Sequence, residues 1–116
     1  MHELPITESI LKIVLTHAEK NDVRQVMAIH LRIGGLSDLE DAWLQRYFDY
    51  LSKGTVAQGA QLKIERTPIT LQCNACAASY PVELADMSDS VCPACGQKDS
   101  KMISGREYYI QNMEVL

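Results

Sequence analysis

Four cysteines arranged as two pairs are the residues best suited to chemistry in this chain. Cys73 and Cys76 form one C-x-x-C pair, Cys92 and Cys95 form the other, and fifteen residues lie between the pairs. This spacing is typical of a tetrathiolate zinc site, because each tight turn directs two sulfurs toward the same metal. Gly96 follows the second pair and relieves the backbone where it must turn sharply. We therefore expect a structural zinc site.

Two other uses of such cysteines are less well supported. A redox dithiol needs only one C-x-x-C pair and normally lies at a helix start near a βαβ pattern. A closed four-thiolate site has no open coordination position, so we do not expect it to be catalytic. Many zinc ribbons bind nucleic acid, but Lys98 is the only basic residue between positions 70 and 100, and the whole chain has a net charge of -4. This charge disfavours contact with a phosphate backbone.

The chain begins Met1-His2-Glu3, which is a second candidate metal site. The α-amine of Met1, the backbone nitrogen of His2 and the imidazole of His2 can close two consecutive chelate rings on one metal. A near-planar set of nitrogen donors suits Ni(II) or Cu(II) better than Zn(II). A histidine at position 2 is, however, usually just an exposed terminal residue, and short motifs match by chance. The residues alone leave both interpretations open.

Hydrophobic periodicity predicts the elements that position these residues. We expect an α+β fold, with a small three-stranded sheet and two helices, plus an inserted zinc-ribbon module. Residues 1–69 and 105–116 would form an α/β domain that carries the N-terminal site, and residues 70–104 would form the zinc ribbon. The expected elements, in order, are a helix over 5–20, a strand within 23–35, a helix over 38–53, a strand within 60–68 and a final strand within 107–116.

Several side chains have predicted places in these elements. Ser37 and Glu40 have capping-box spacing at the start of the second helix. Trp43 falls on the apolar stripe of that helix and is predicted to be core. His17 lies on the apolar stripe of the first helix, which favours a partly buried packing residue over a ligand. His30 lies on the polar side of the first strand and is predicted to be solvated, whereas Met27 lies on the apolar side, which is predicted to be buried.

The acidic start of the second helix, "DLED" followed by "AW", is open to two interpretations. It could dock a partner, but a solvated acidic helix start is the simpler account. No apolar run approaches the length of a membrane span, and the N-terminus has no signal-peptide pattern. We therefore expect a cytoplasmic protein. No nucleophile with a local base, phosphate loop or nucleotide fingerprint is present in the sequence, which argues against an enzyme.

A family resemblance brings these features together. The chain has "MHE" at the start, "IGGLSDLE" after the first strand, "GTVAQGAQL" before the second, the two C-x-x-C pairs and the closing "GREYYIQNMEV". Together these features resemble the hydrogenase maturation nickel metallochaperones of the HypA/HybF type. The resemblance runs essentially from end to end. It differs in the final strand, which is often more aliphatic in the family.

The resemblance implies a function and a set of site residues. His2 would be the essential nickel ligand, with the Met1 amine and the backbone of His2 and Glu3 as co-ligands. The four cysteines would hold structural zinc. The protein would deliver Ni(II) to the large subunit of [NiFe]-hydrogenase together with an accessory GTPase, and in some bacteria it would also serve urease maturation. We expect a monomer or weak homodimer; the alternative function is a zinc-ribbon adaptor that binds protein partners and no labile metal.

Overall fold

The computed structural model describes residues 3–116 and has an α+β fold, as predicted. Its strands form two three-stranded sheets, of order β2-β1-β6 and β4-β3-β5. No helix within residues 3–116 is both long enough and apolar enough to cross a membrane. The elements are α1 (Glu3–Lys20), β1 (Val26–Gly34), α2 (Asp41–Leu51), β2 (Gln61–Thr67), β3 (Ile69–Cys73), β4 (Ser79–Val82), a 3-10 helix (Leu84–Asp89), β5 (Ser100–Ser104) and β6 (Tyr108–Val115).

The chain divides into two compact units. The first takes in the chain up to Leu31 together with Asp38–Glu65 and Tyr109–Leu116. The second consists of Arg32–Ser37 and Arg66–Tyr108, so it contains all four cysteines and the short segment that precedes α2. The predicted ribbon of residues 70–104 lies within this second unit. The assignment of separate functional domains stays a prediction.

The first unit is built around two helices that pack on each other and a sheet strand. Helix α1 buries Ile10, Val14 and Ala18, which recur every four residues along one face. Helix α2 buries Leu44 and Phe48 in the same way. The part of strand β1 in this unit adds two fully buried aliphatic side chains at alternate positions, Ile29 and Leu31. Burial of these apolar surfaces is the main stabilising contribution to this unit.

The start of α2 differs from the prediction in two ways. The helix begins at Asp41, and Glu40 is its N-cap without any side-chain capping bond, so the predicted capping box of Ser37 and Glu40 is wrong. Trp43 is 41% exposed, so its prediction as a core residue is also wrong. The buried side of α2 is set by Leu44, and Trp43 lies about 100° away from it around the helix axis.

Three further predictions concern individual side chains of the first unit. His17 was expected to be partly buried, but it is exposed, because the buried face of α1 runs through Val14 and Ala18. Met27 was expected on the buried face of β1, but it is 46% exposed. His30 is half-buried, and its Nε2 lies 2.7 Å from the carboxylate of Glu114 on β6.

The second unit is a small antiparallel sheet around the cysteines. Strand β3 pairs with β4 on one side and with β5 on the other, with a register shift between Thr70 and Leu71. Two cysteines belong to the buried core of this sheet, whose members are Ile69, Leu71, Cys73, Tyr80 and Cys92. This core is small, and a module with so little buried apolar surface would gain stability from a bound metal.

A close backbone approach closes the second unit near the end of β1. A Cβ atom on Gly34 would overlap the carbonyl oxygen of Gly105, so position 34 has no room for any side chain. Gly105 has a φ of +120°, and a Cβ there would lie 2.9 Å from the Cα of Ile69. Glycine is therefore required at both positions by space, and at Gly105 also by backbone conformation.

Candidate metal sites

The two cysteine pairs lie in turns of the same construction. In the first turn, the N–H of Cys73 donates to the carbonyl of Ala78, and the N–H of Ala77 donates to the carbonyl of Cys73, both at 2.9 Å. In the second turn, the N–H of Cys92 donates to the carbonyl of Gln97 at 2.9 Å, and the N–H of Gly96 donates to the carbonyl of Cys92 at 2.7 Å. The two halves of the candidate site are thus related by an approximate repeat.

The residue after each pair has a left-handed backbone conformation. Gly96 has a φ of +76°, as its predicted role in a sharp turn requires. Ala77 occupies the equivalent place in the first turn with a φ of +64°, although it carries a Cβ. Such a conformation costs a non-glycine residue about 1–2 kcal/mol. Sequence reasoning missed this strain, because an alanine in the place of the glycine hides the likeness between the two turns.

The four cysteine sulfurs meet at one place. All four Sγ atoms lie within 4.8 Å of one another. Two of the separations link the turns crosswise, Cys73 to Cys95 and Cys76 to Cys92, each at 3.5 Å. A tetrahedral zinc with bonds of about 2.3 Å places its sulfurs about 3.8 Å apart, so the arrangement fits such an ion. The quartet is therefore able to hold a metal.

The electrostatics of the quartet favour a bound cation. The backbone N–H of Cys76 is the main cause of a lowered pKa at Cys73, which also accepts a hydrogen bond from the N–H of Ala75 at 3.3 Å. Burial acts to raise the pKa of Cys92, but hydrogen bonds from the N–H groups of Cys95 and Ala94 outweigh it and lower the pKa to about 7.

The pKa of the second cysteine of each pair, Cys76 and Cys95, is raised instead of lowered. A backbone hydrogen bond from Gln97 acts to lower the pKa of Cys95, yet the neighbouring sulfurs and burial raise it to about 12. The pKa of Cys76 is also raised, because the sulfur of Cys92 and burial outweigh a backbone hydrogen bond from Ala78. Adjacent thiolates repel one another, so a bound cation would favour the loss of the remaining protons.

The second candidate site lies at the N-terminus, where Met1 and His2 fall outside the described residues. Glu3, its third residue, is the first residue of α1 and is 6% exposed. Its carboxylate Oε2 accepts a hydrogen bond from the backbone N–H of Glu40 at 3.0 Å, and this bond is the main cause of a lowered pKa at Glu3. Its carbonyl accepts a 2.6 Å bond from the hydroxyl of Thr7.

The side chain of Glu3 thus has a structural task that sequence reasoning missed. It supplies an acceptor at the N-cap of α2, where the side chain of Glu40 forms no capping bond. A negative charge is favourable at a helix N-terminus, because the helix dipole is positive there. Sequence reasoning could not find this contact, because Glu3 and Glu40 lie in separate stretches of sequence that only the fold brings together.

Comparison with known proteins gives a consistent result across the chain. Residues 1–115 match the family model described as "Hydrogenase/urease nickel incorporation, metallochaperone, hypA". A protein of Dehalococcoides mccartyi named hydrogenase maturation factor HypA is 35% identical over 115 residues, covering 99% of this chain and 94% of that protein. A protein of the same name from Methanothermobacter thermautotrophicus is 32% identical and covers 99% of this chain and 97% of that protein.

Two solution structures share the fold. One is described as the Ni metallochaperone HypA from Helicobacter pylori, with a TM-score of 0.65, 24% identity and coverage of 100% of this chain and 98% of that one. The other is described as HypA protein, with a TM-score of 0.72, 24% identity and coverage of 100% and 97%. The family model matches almost every residue, and the relatives above are more than 30% identical over nearly their whole length. This chain therefore belongs to the HypA family.

Proposed function

We propose that this protein is a nickel metallochaperone that delivers Ni(II) for the maturation of [NiFe]-hydrogenase. The observation that carries the proposal is the match of residues 1–115 to a family described by nickel incorporation. Full-length relatives that are named hydrogenase maturation factors support the same client. The work consists of binding and transfer, and we assign no catalytic residue.

The proposed nickel ligands are the α-amine of Met1, the imidazole and backbone nitrogen of His2, and the backbone nitrogen of Glu3. Nitrogen donors of this kind suit Ni(II). The amine and the amides must lose protons before they bind, so nickel affinity should fall as the pH falls. The carboxylate of Glu3 is engaged with the N–H of Glu40, which supports a contribution from the Glu3 backbone instead of its side chain.

The proposed resident metal is zinc, held by Cys73, Cys76, Cys92 and Cys95. A zinc ion with four thiolate ligands would fix the two turns to each other and stabilise the second unit without taking part in transfer. The cysteines are unpaired by disulfides, and zinc binding through thiolates requires a reducing compartment. We therefore propose that the protein works in the cytoplasm.

The proposed partners are the hydrogenase accessory GTPase and the large subunit of [NiFe]-hydrogenase. Urease maturation is a second client process in this proposal, supported by the family description. Nucleic acid is excluded from the proposal, because the acidic chain offers few counter-charges for phosphates.

A nickel titration of two zinc-loaded forms tests the proposal. One form has the native N-terminus, and the other carries a single extra glycine before Met1, which keeps every side chain but moves the α-amine out of the chelate. We expect a single tight nickel site in the native form and its loss in the extended form. Equal binding in both forms would assign nickel to other ligands, and absence of binding in both would favour a zinc-ribbon adaptor without a labile metal.

A further inference from the structure

An acidic cleft with aromatic walls lies at the start of α2 within the first unit. It has a volume of about 310 Å³. Part of the wall comes from the first turn of α1, and the rest from the N-terminal half of α2 and the residues just before it. Its lining residues are Glu3, Leu4, Asp38, Glu40, Trp43 and Tyr47.

The aromatic wall is exposed where a core residue was expected. Trp43 is 41% exposed, and its ring lies 5.7 Å from that of Tyr47 between centroids. The guanidinium carbon of Arg46 lies 4.9 Å from the centre of the Trp43 ring, so the indole already contacts one cation of its own helix. Tryptophan, tyrosine and arginine are the residue types that dominate binding energy at protein interfaces.

The acidic wall carries charge that the described chain does not neutralise. Within residues 3–116, the carboxylates of Asp38 and Glu40 make no hydrogen bond or ion pair. The carboxylate of Glu3 is committed to the backbone N–H of Glu40. Two negative charges beside an exposed indole and a phenol ring form a surface complementary to one cationic group.

We propose that this cleft binds an arginine or lysine side chain carried by an extended segment of a protein partner. The cationic head would lie between the carboxylates of Asp38 and Glu40, and the apolar stem would lie on the rings of Trp43 and Tyr47. The proposal deepens the function proposed above, because Glu3 lines the cleft and follows His2 directly in the chain. A partner bound there would lie beside Glu3, whose backbone nitrogen is a proposed nickel ligand.

The single tryptophan of the chain makes the cleft directly observable, since Trp43 is part of its wall. The probe is the blocked tripeptide leucine-arginine-leucine, titrated into zinc-loaded protein at low salt while tryptophan emission is followed. The matched control replaces arginine with citrulline, which keeps the shape and removes the charge. We expect a saturable change with the arginine peptide and about tenfold weaker binding of the citrulline peptide, from the lost cation–π and ion-pair contacts.

Paired variants separate the cleft from the rest of α2. Tyr47→Ala should weaken the arginine peptide at least fivefold, whereas Tyr50→Ala should not, because Tyr50 is 69% exposed on the same helix and does not line the cleft. The double variant Asp38→Asn with Glu40→Gln should remove the preference for arginine over citrulline. Glu19→Gln, on α1, removes one negative charge at a distance and should leave that preference intact.

The outcomes decide between the proposals. Equal response to both peptides, or an unchanged response in the Asp38 and Glu40 double variant, overturns the cleft proposal. If Tyr47→Ala fails to fold by circular dichroism, the carboxylate variants alone decide, because they leave every apolar contact in place. A nickel titration of the same samples keeps the two proposals apart: nickel binding without an arginine preference refutes the cleft alone, and an arginine preference without nickel binding refutes the metallochaperone alone.

Discussion

Exchanging alanine and glycine between the two cysteine turns is a direct test of the repeat that builds the quartet. Ala77 and Gly96 occupy the same place after their pairs, with φ values of +64° and +76°. Alanine is strained there and glycine is not. We therefore expect Ala77→Gly to stabilise the metal-bound ribbon, and Gly96→Ala to destabilise it by a similar amount.

The size of the effect follows from two opposing contributions. A left-handed conformation costs alanine about 1–2 kcal/mol in the folded state. Alanine loses less backbone entropy on folding than glycine, which offsets about 0.4–1 kcal/mol of that cost. A Cβ on Gly96 would have no heavy atom within 4 Å, so no steric clash adds to the difference. The net change is about 1 kcal/mol for each substitution, with opposite signs.

Zinc affinity is the sensitive measurement, because folding of such a module is coupled to metal binding. A change of about 1 kcal/mol corresponds to about fivefold in a dissociation constant. In competition with a chelator, we expect Ala77→Gly to bind zinc about fivefold more tightly, Gly96→Ala about fivefold more weakly, and the double variant close to the original. Weaker zinc binding by Ala77→Gly would refute the argument that backbone strain limits the first turn.

Three further substitutions test other parts of the chain. Gly34→Ala should cost more than about 3 kcal/mol in urea unfolding, because its Cβ would overlap the carbonyl oxygen of Gly105. Ser52→Ala should raise the stability by about 0.5–1 kcal/mol, because the buried hydroxyl of Ser52 has no hydrogen-bond partner within residues 3–116. Glu3→Gln should lower the thermal midpoint at neutral pH. Because the pKa of Glu3 is lowered in the folded protein, its carboxylate stabilises the fold above its ordinary pKa, and this stability is lost as the pH falls through the folded-state pKa. The thermal midpoint of Glu3→Gln should therefore fall less steeply with decreasing pH than that of the original protein.

Each of these outcomes has a clear opposite. A Gly34→Ala variant with unchanged stability would mean that the backbones near Gly105 separate without cost. Loss of stability in Ser52→Ala would reveal a partner for that hydroxyl. A Glu3→Gln variant whose thermal midpoint follows pH in parallel with the original protein would mean that the charge of Glu3 does nothing for the N-terminus of α2.

Local patterns predicted the parts of the fold that depend on neighbouring residues. Helical spacing of Ile6, Ile10, Ile13, Val14, His17 and Ala18 predicted α1, although only Ile10, Val14 and Ala18 of this set are buried. The alternation of Met27, Ile29, Leu31 and Ile33 predicted β1, although Met27 is exposed. The cysteine spacing likewise predicted that four sulfurs meet, since each turn is closed by its own backbone hydrogen bonds. In the helix and within each cysteine turn, the deciding contacts join residues a few positions apart, whereas the meeting of the two turns joins sulfurs 22 and 16 positions apart.

The predictions that were wrong depended on contacts between distant segments. The apolar stripe on α2 predicts that Trp43 is buried together with the rest of the stripe. The buried face of α2 instead consists of Leu44 and Phe48, and Trp43 lies beside it in the wall of a cleft. The capping box failed because Glu3, 37 residues away, supplies the acceptor at Glu40. Neither outcome has a signal in a short window, since each requires the packing of α1 on α2.

The contact between Glu3 and Glu40 also bears on how a terminal nickel site is positioned. If the Glu3 nitrogen is a nickel ligand, as proposed, its location is fixed by a carboxylate that is bound to the start of another helix. The proposed site would then combine one donor held by the fold with the donors proposed for Met1 and His2, which a partner would remove one at a time. The quartet of cysteines differs in kind: its donors come from two turns closed by backbone hydrogen bonds, and that construction suits a metal that stays.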